Sequence, residues 1–145
     1  MLANTRMLHE YIGQISDILL RESPFLNYIF DKSTTHDLPR TTYNYECDLH
    51  GLYFICDDTH HIQTIFVTKN SELAHSDRLE AHIGWSADDV IQKLGSPTKS
   101  GASWDRFHFD THTLHAQYGQ DGLVDMITLM RNDIVPGGHS PDPVH

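Results

Sequence analysis

Residues 84–97, GWSADDVIQKLGSP, specify a short helix at both of its ends, and so divide the chain into two parts. Ser86 is placed to cap the helix start, and Asp89 follows three residues on in a capping-box-like arrangement. Asp88 and Asp89 both fall in the first turn, where the helix dipole favours negative charge. Val90, Ile91 and Leu94 share one face. Gly95 suits the left-handed position past the helix end, and Pro97 prevents continuation. The text on either side runs at a period of two residues. A short helix between two strand-rich stretches restricts the chain to an α+β fold. The helix holds no nucleophile–base pair and no phosphate-binding glycine loop, so its role is structural.

Three strands precede it. Tyr43, Tyr45 and Cys47 alternate with polar residues, Leu52–Cys56 is a nearly continuous apolar run, and residues 62–68 read IQTIFVT. Asp48-Leu49-His50-Gly51 and Asp57–His61 are turn text. Three strands also follow it: Trp104–Phe109, Thr113–Tyr118 and Leu123–Met130, joined at Asp110-Thr111-His112 and at Gly119-Gln120-Asp121-Gly122. Ile62, Ile65 and Val67 recur as Val124, Ile127 and Leu129 at a constant offset of 62, a weak internal echo. The expected architecture is an antiparallel sheet of two β-meanders, about six strands. An N-terminal helix and the short middle helix pack on one face.

Met7, Leu8, Tyr11, Ile12, Ile15, Ile18, Leu19 and Leu20 recur at steps of three and four, which predicts an amphipathic helix from about Asn4, a capping residue with Thr5, to Arg21. Gly13 weakens it by roughly 1 kcal/mol relative to Ala. Ser23-Pro24 opens a short helical turn whose buried face is Phe25, Leu26, Ile29 and Phe30. Residues 31–40 read as a polar connector. Residues 70–83 read as irregular, anchored by Leu79 and Ile83. Residues 1–131 form one domain by length, and 132–145, rich in Pro, Gly and His, read as a disordered tail.

The 145 residues carry 10 Lys+Arg against 20 Asp+Glu, a formal net charge of −10. Such a surface repels nucleic acid and anionic membranes and attracts a basic partner. No apolar stretch is long enough for a transmembrane span and no signal peptide is legible, so the expected location is the cytoplasm. Cys47 and Cys56 are too few for a disulfide framework and read as small buried hydrophobes.

Catalytic signatures are sparse. His60 and His61 are neighbours on a turn and point apart. His108, Asp110 and His112 on one hairpin are the alternative reading, a metal-binding protein or small metal-dependent enzyme, but no H-E-x-x-H or C-x-x-C accompanies them. Asp57-Asp58 sits where turns favour Asp, and no G-x-S-x-G occurs. No cofactor is expected.

Charge placement is more informative. From Thr41 to Thr68 there is no Lys or Arg, but Glu46, Asp48, Asp57 and Asp58 are present. From Phe107 to Met130 there is again none, but Asp110, Asp121 and Asp125 are present. The expected partner-binding residues are therefore Glu46, Asp48, Asp57 and Asp58, with Asp110 and Asp121 as second choice. Charge of one sign beside aromatic residues suits a protein interface, because the field speeds encounter and the rings anchor contact.

The succession GLYFICDDTHHIQTIF, GWSADDVIQKLGSPTKSG, WDRFHF and LHAQYGQDGLVDMITL resembles the pyocin-type immunity proteins of bacterial polymorphic toxin systems over about residues 43–130. The unit S-x-x-x-V-x-x-x-L-G-x-P is also similar to one in small outer-membrane assembly lipoproteins, which require a lipoprotein signal that is not legible here. The resemblance implies a non-enzymatic inhibitor that neutralises a cognate toxin. An acidic, cytosolic inhibitor suits a basic, nuclease-like toxin acting in the cytosol.

Overall fold

A computed structural model describes residues 6–37 and 40–135. Eight strands form one antiparallel sheet: β1 (Asp31–Asp37), β2 (Arg40–Cys47), β3 (Leu52–Cys56), β4 (Ile62–Thr68), β5 (Lys99–Ser100), β6 (Trp104–His108), β7 (Thr113–Tyr118) and β8 (Val124–Met130). Their spatial order is β1-β2-β3-β4-β8-β7-β6-β5. Each half of the chain is thus a four-stranded meander, and the two meet through their last strands. The internal echo lies on this seam. Ile65 stands opposite Leu129, and Val67 opposite Ile127.

The sheet has eight strands where about six were expected, and both additions are edges. In sequence β1 reads as a connector because DKSTTHD has no apolar alternation. An edge strand with water on both faces needs none. Its residues pair one for one with β2, from Asp31↔Glu46 to Asp37↔Arg40. Asn44 Nδ2 donates to Thr35 Oγ1 at 2.9 Å and to Ser33 Oγ at 3.3 Å across the pair. β5 is only two residues long and pairs with β6.

The expected N-terminal helix is broken. A 3₁₀ turn spans Leu8–Tyr11, and α1 is only Ser16–Leu20. Between them Gly13 takes φ +84°, a left-handed conformation that ends the helix. The competing force is β pairing. Gly13 N–H donates to Ile62 O at 2.7 Å, Ile62 N–H to Gln14 O at 2.8 Å, and Ser16 N–H to His60 O at 2.9 Å. The expected capping residues Asn4 and Thr5 lie outside the described residues. In the next turn Phe25 is buried, but Leu26 and Ile29 are 52% and 86% exposed, against expectation.

α2 (Ala87–Leu94) follows the sequence closely. Ser86 Oγ accepts from Asp89 N–H at 3.2 Å, Val90 is buried, and Gly95 at φ +90° donates its N–H to Ile91 O. Leu52, Phe54, Ile65, Val67, Leu114, Ala116, Ile127 and Leu129 line one face of the sheet and are almost fully buried, with Leu8, Tyr11, Leu19, Phe25 and Val90 in the same cluster.

The segment between β4 and α2 has no regular structure, yet Leu73, Ala74, Leu79, Ala81 and Ile83 are buried. Arg78 ties it to the N-terminal segment. Its guanidinium donates to Arg6 O at 2.8 Å, Ser23 O at 3.1 Å and Tyr11 Oη at 2.9 Å, and lies 5.2 Å over the Phe25 ring. Beyond β8, Asn132–Ile134 make a 3₁₀ turn and Val135 is buried. The rest of the expected tail, 136–145, lies outside the described residues.

Candidate functional site

Strand direction divides the six expected contact residues into two groups. β3 runs between Asp48 and Asp57, so those turns sit at opposite ends of the sheet. The pairing of β4 with β8, Thr68↔Met126 to Thr64↔Met130, carries this division into the second half. Asp121, before β8, falls at the Asp48 end. Asp110, before β7, falls at the Asp57 end. The ribbons are acidic, but their carboxylates do not form one patch.

The Asp48 end combines charge with exposed apolar surface. Asp31 and Glu46 are directly opposed on β1 and β2, and both are exposed. Glu46 is opposed on its other side by Tyr53, whose hydroxyl donates to Asp48 Oδ1 at 2.8 Å. That hydrogen bond, then burial, pushes the Tyr53 phenol up to about 12. Residues Asp48–His50 form a 3₁₀ turn closed by Gly51 at φ +56°. A side chain on Gly51 would press on Ser71 N at 2.8 Å, so the turn requires glycine. The turn holds Leu49 out into solvent, 83% exposed. Tyr28 stacks on His50 at 3.9 Å, bringing the Ile29 segment alongside. Ile29 is also exposed, at 86%.

The Asp57 end is built differently. Asp57 Oδ1 accepts from the N–H groups of Thr59 and His61, both at 3.0 Å, and Oδ2 accepts from Arg131 at 2.8 Å. Burial alone would raise this carboxyl, but the Arg131 guanidinium and the turn hydrogen bonds outweigh it. They hold Asp57 well below the usual carboxylate range. Asp57 is therefore committed to its turn. Asp58 and Asp110 are exposed, and Asp110 also contributes a backbone carbonyl to Asn132 Nδ2. Asp121 Oδ1 accepts from Leu123 N–H at 3.0 Å, a turn role as well.

His108, Asp110 and His112 do not come together as a ligand group. His108 is exposed, while His112 is 2% exposed. His112 points instead toward His9 and Glu80, and the ligand atoms of these three residues lie within 4.8 Å of one another. His112 Nε2 is 2.6 Å from Glu80 Oε1, and His9 Nδ1 is 3.6 Å from the same oxygen. The two imidazoles stack at 4.3 Å between centroids. Thr111 Oγ1 holds the other nitrogen of His112, Nδ1, at 2.8 Å. Burial, then the neighbouring His112, lower the His9 pKa. His9 stood in helix-like text and Glu80 in irregular text. No spacing links positions 9, 80 and 112, so this cluster was not legible in the sequence.

His60 and His61 do point to different surroundings. His60 stacks on Tyr43 at 4.3 Å, and His61 Nδ1 sits 2.9 Å from Thr59 Oγ1. Cys47 and Cys56 are buried and free, and burial pushes the Cys56 thiol up to about 12.

Similarity to known proteins is confined to the fold. The chain superimposes on a crystal structure of an extracellular protein containing an SCP domain, from Bacillus anthracis str. Ames, with a TM-score of 0.64 and 13% sequence identity. The match covers 90% of this chain and 47% of that one, so the chain spans about half that protein's length. No protein-family model and no curated protein matches the sequence. No helix among the described residues is long and apolar enough to cross a membrane.

Proposed function

We propose that this chain is a non-catalytic inhibitor that binds a basic protein through the Asp48 end of its sheet. The partner is a cytosol-acting bacterial toxin domain, the class implied by the resemblance to immunity proteins. The observation that carries this reading is Leu49, an aliphatic side chain 83% exposed on a glycine-closed turn, next to Asp48 and near Glu46 and Asp31. Holding leucine in water forgoes about 2 kcal/mol of burial. A partner that covers it recovers that energy, while the surrounding carboxylates steer a cationic surface toward it. The direct opposition of Asp31 and Glu46 is unfavourable in the free protein and is relieved by a cationic partner.

Two features support a binding role over turnover. Asp57, the best-formed carboxylate of the expected set, is occupied by Arg131 and its own turn. The Cys56 thiol is held protonated and is a poor nucleophile. A cytoplasmic location belongs to this reading through the toxin's site of action. The Bacillus neighbour is extracellular, and at 13% identity it bears on fold alone.

The test is co-expression with candidate toxin domains, sought first among any encoded next to this chain's gene. Growth is expected to be restored by the wild-type chain and lost again with Leu49→Asp. A toxin that kills equally with and without the chain would overturn the proposal, as would a substrate consumed by the purified chain alone.

A further inference from the structure

We infer that His9, Glu80 and His112 form a binding site for a divalent transition-metal ion of the zinc class. Two imidazoles and one carboxylate are a donor set suited to zinc, and three protein ligands leave a further position for solvent. The three ligand atoms already lie within 4.8 Å of one another. His112 is 2% exposed and its ring is fixed from behind by Thr111 Oγ1 at 2.8 Å, the outer-shell contact that orients a ligating histidine.

His112 Nε2 and Glu80 Oε1 lie 2.6 Å apart, and an ion bound here takes the place of the hydrogen bond between them. Histidine ligates a metal as the neutral imidazole, with its proton on the nitrogen that does not touch the ion. With Nε2 on the ion, that nitrogen is Nδ1, and Thr111 Oγ1 at 2.8 Å is the acceptor for it. The stacked rings must part for the ion to reach both nitrogens, so loading changes the position of His9 relative to His112.

The site draws on three segments far apart in the chain: the 3₁₀ turn at Leu8–Tyr11, the irregular segment before α2, and the β6–β7 turn. An ion there joins the N-terminal segment to the sheet, and its binding energy adds to folding stability. This role stands apart from partner binding, because none of the three residues is at the Asp48 end.

The experiment is calorimetric titration of the tag-free, chelator-treated full chain with zinc chloride, with thermal melts alongside. The expected result is one equivalent bound and a raised melting temperature. Glu80→Gln and His9→Gln should each weaken binding at least tenfold, while His108→Gln and the His139→Gln/His145→Gln pair leave it unchanged. Glu80→Gln keeps a hydrogen-bond acceptor for His112 and so should preserve the fold, which its metal-free melt checks. Cobalt substitution should give visible bands of a low-coordinate N/O site. Absence of one-equivalent binding overturns the assignment. So does binding that survives both Glu80→Gln and His9→Gln, or that is lost with His108→Gln.

Discussion

Ile65 on β4 and Leu129 on β8 stand directly opposite each other, both almost fully buried, where the two halves of the chain join. From this pair outward the halves repeat, each a meander of four strands preceded by helix. The seam joins the two halves in one continuous sheet.

Truncating either residue to alanine should cost about 3 kcal/mol, within the range for buried aliphatics. Because the two cavities adjoin, the double variant should depart from the sum by more than about 0.5 kcal/mol. Denaturant unfolding of the four proteins measures this. Strict additivity would mean that the halves do not share a packed seam.

Arg78→Ala should destabilise by about 2 kcal/mol, since it leaves Arg6 O and Ser23 O without their donor and removes a cation from the Phe25 face. Arg78→Lys should recover less than half, because one ammonium cannot reproduce the three-way fork. Chemical denaturation reads both. A loss below about 0.5 kcal/mol would show that the loop is held by its apolar anchors alone.

His115 sets a pH dependence. Burial, then the nearby Arg106 guanidinium, lower its pKa from the model-peptide value of 6.5. The unfolded chain therefore takes up this proton more readily than the folded one. Its contribution to stability is complete above about pH 6.5 and declines as pH falls, levelling off below the folded-state value. Melting temperatures between pH 7.5 and 5 should show a slope that flattens in His115→Gln. An unchanged slope would contradict the assignment.

Asp57 acts at lower pH. Its folded-state carboxyl titrates well below the usual range, so the stability it contributes is present above about pH 4 and lost as pH falls further. Asp57→Asn should cost about 2 kcal/mol at pH 7 through the Arg131 and turn contacts. Equal stability of wild type and variant at neutral pH would remove this role.

Much of the architecture was legible because its signals are local. The cap at Ser86, the stop at Gly95, and the alternating or apolar runs of the six inner strands each lie within a few residues. What was missed depends on distant partners. β1 is polar because an edge strand buries neither face, so only its pairing with β2 reveals it. The N-terminal helix gave way at Gly13 to pairing with Ile62, forty-nine residues on. The excess of acidic residues was readable, but their grouping was not. Asp48 and Asp57 flank a single strand and so lie at opposite ends of it, while the stack of Tyr28 on His50 ties together the chain segments that carry Ile29 and Leu49.

The most direct test of the proposed binding is the association of the chain with candidate basic toxin domains, sought first among any encoded next to its gene, compared between variants at the two sheet ends. Leu49→Asp and Asp48→Lys should weaken binding at least tenfold, with the Asp48→Lys loss falling mainly on the association rate and shrinking at high salt. Asp58→Lys and Asp110→Lys should change affinity less than threefold. Equal affinity for Leu49→Asp and wild type, or a larger loss at Asp58 and Asp110, would contradict the account.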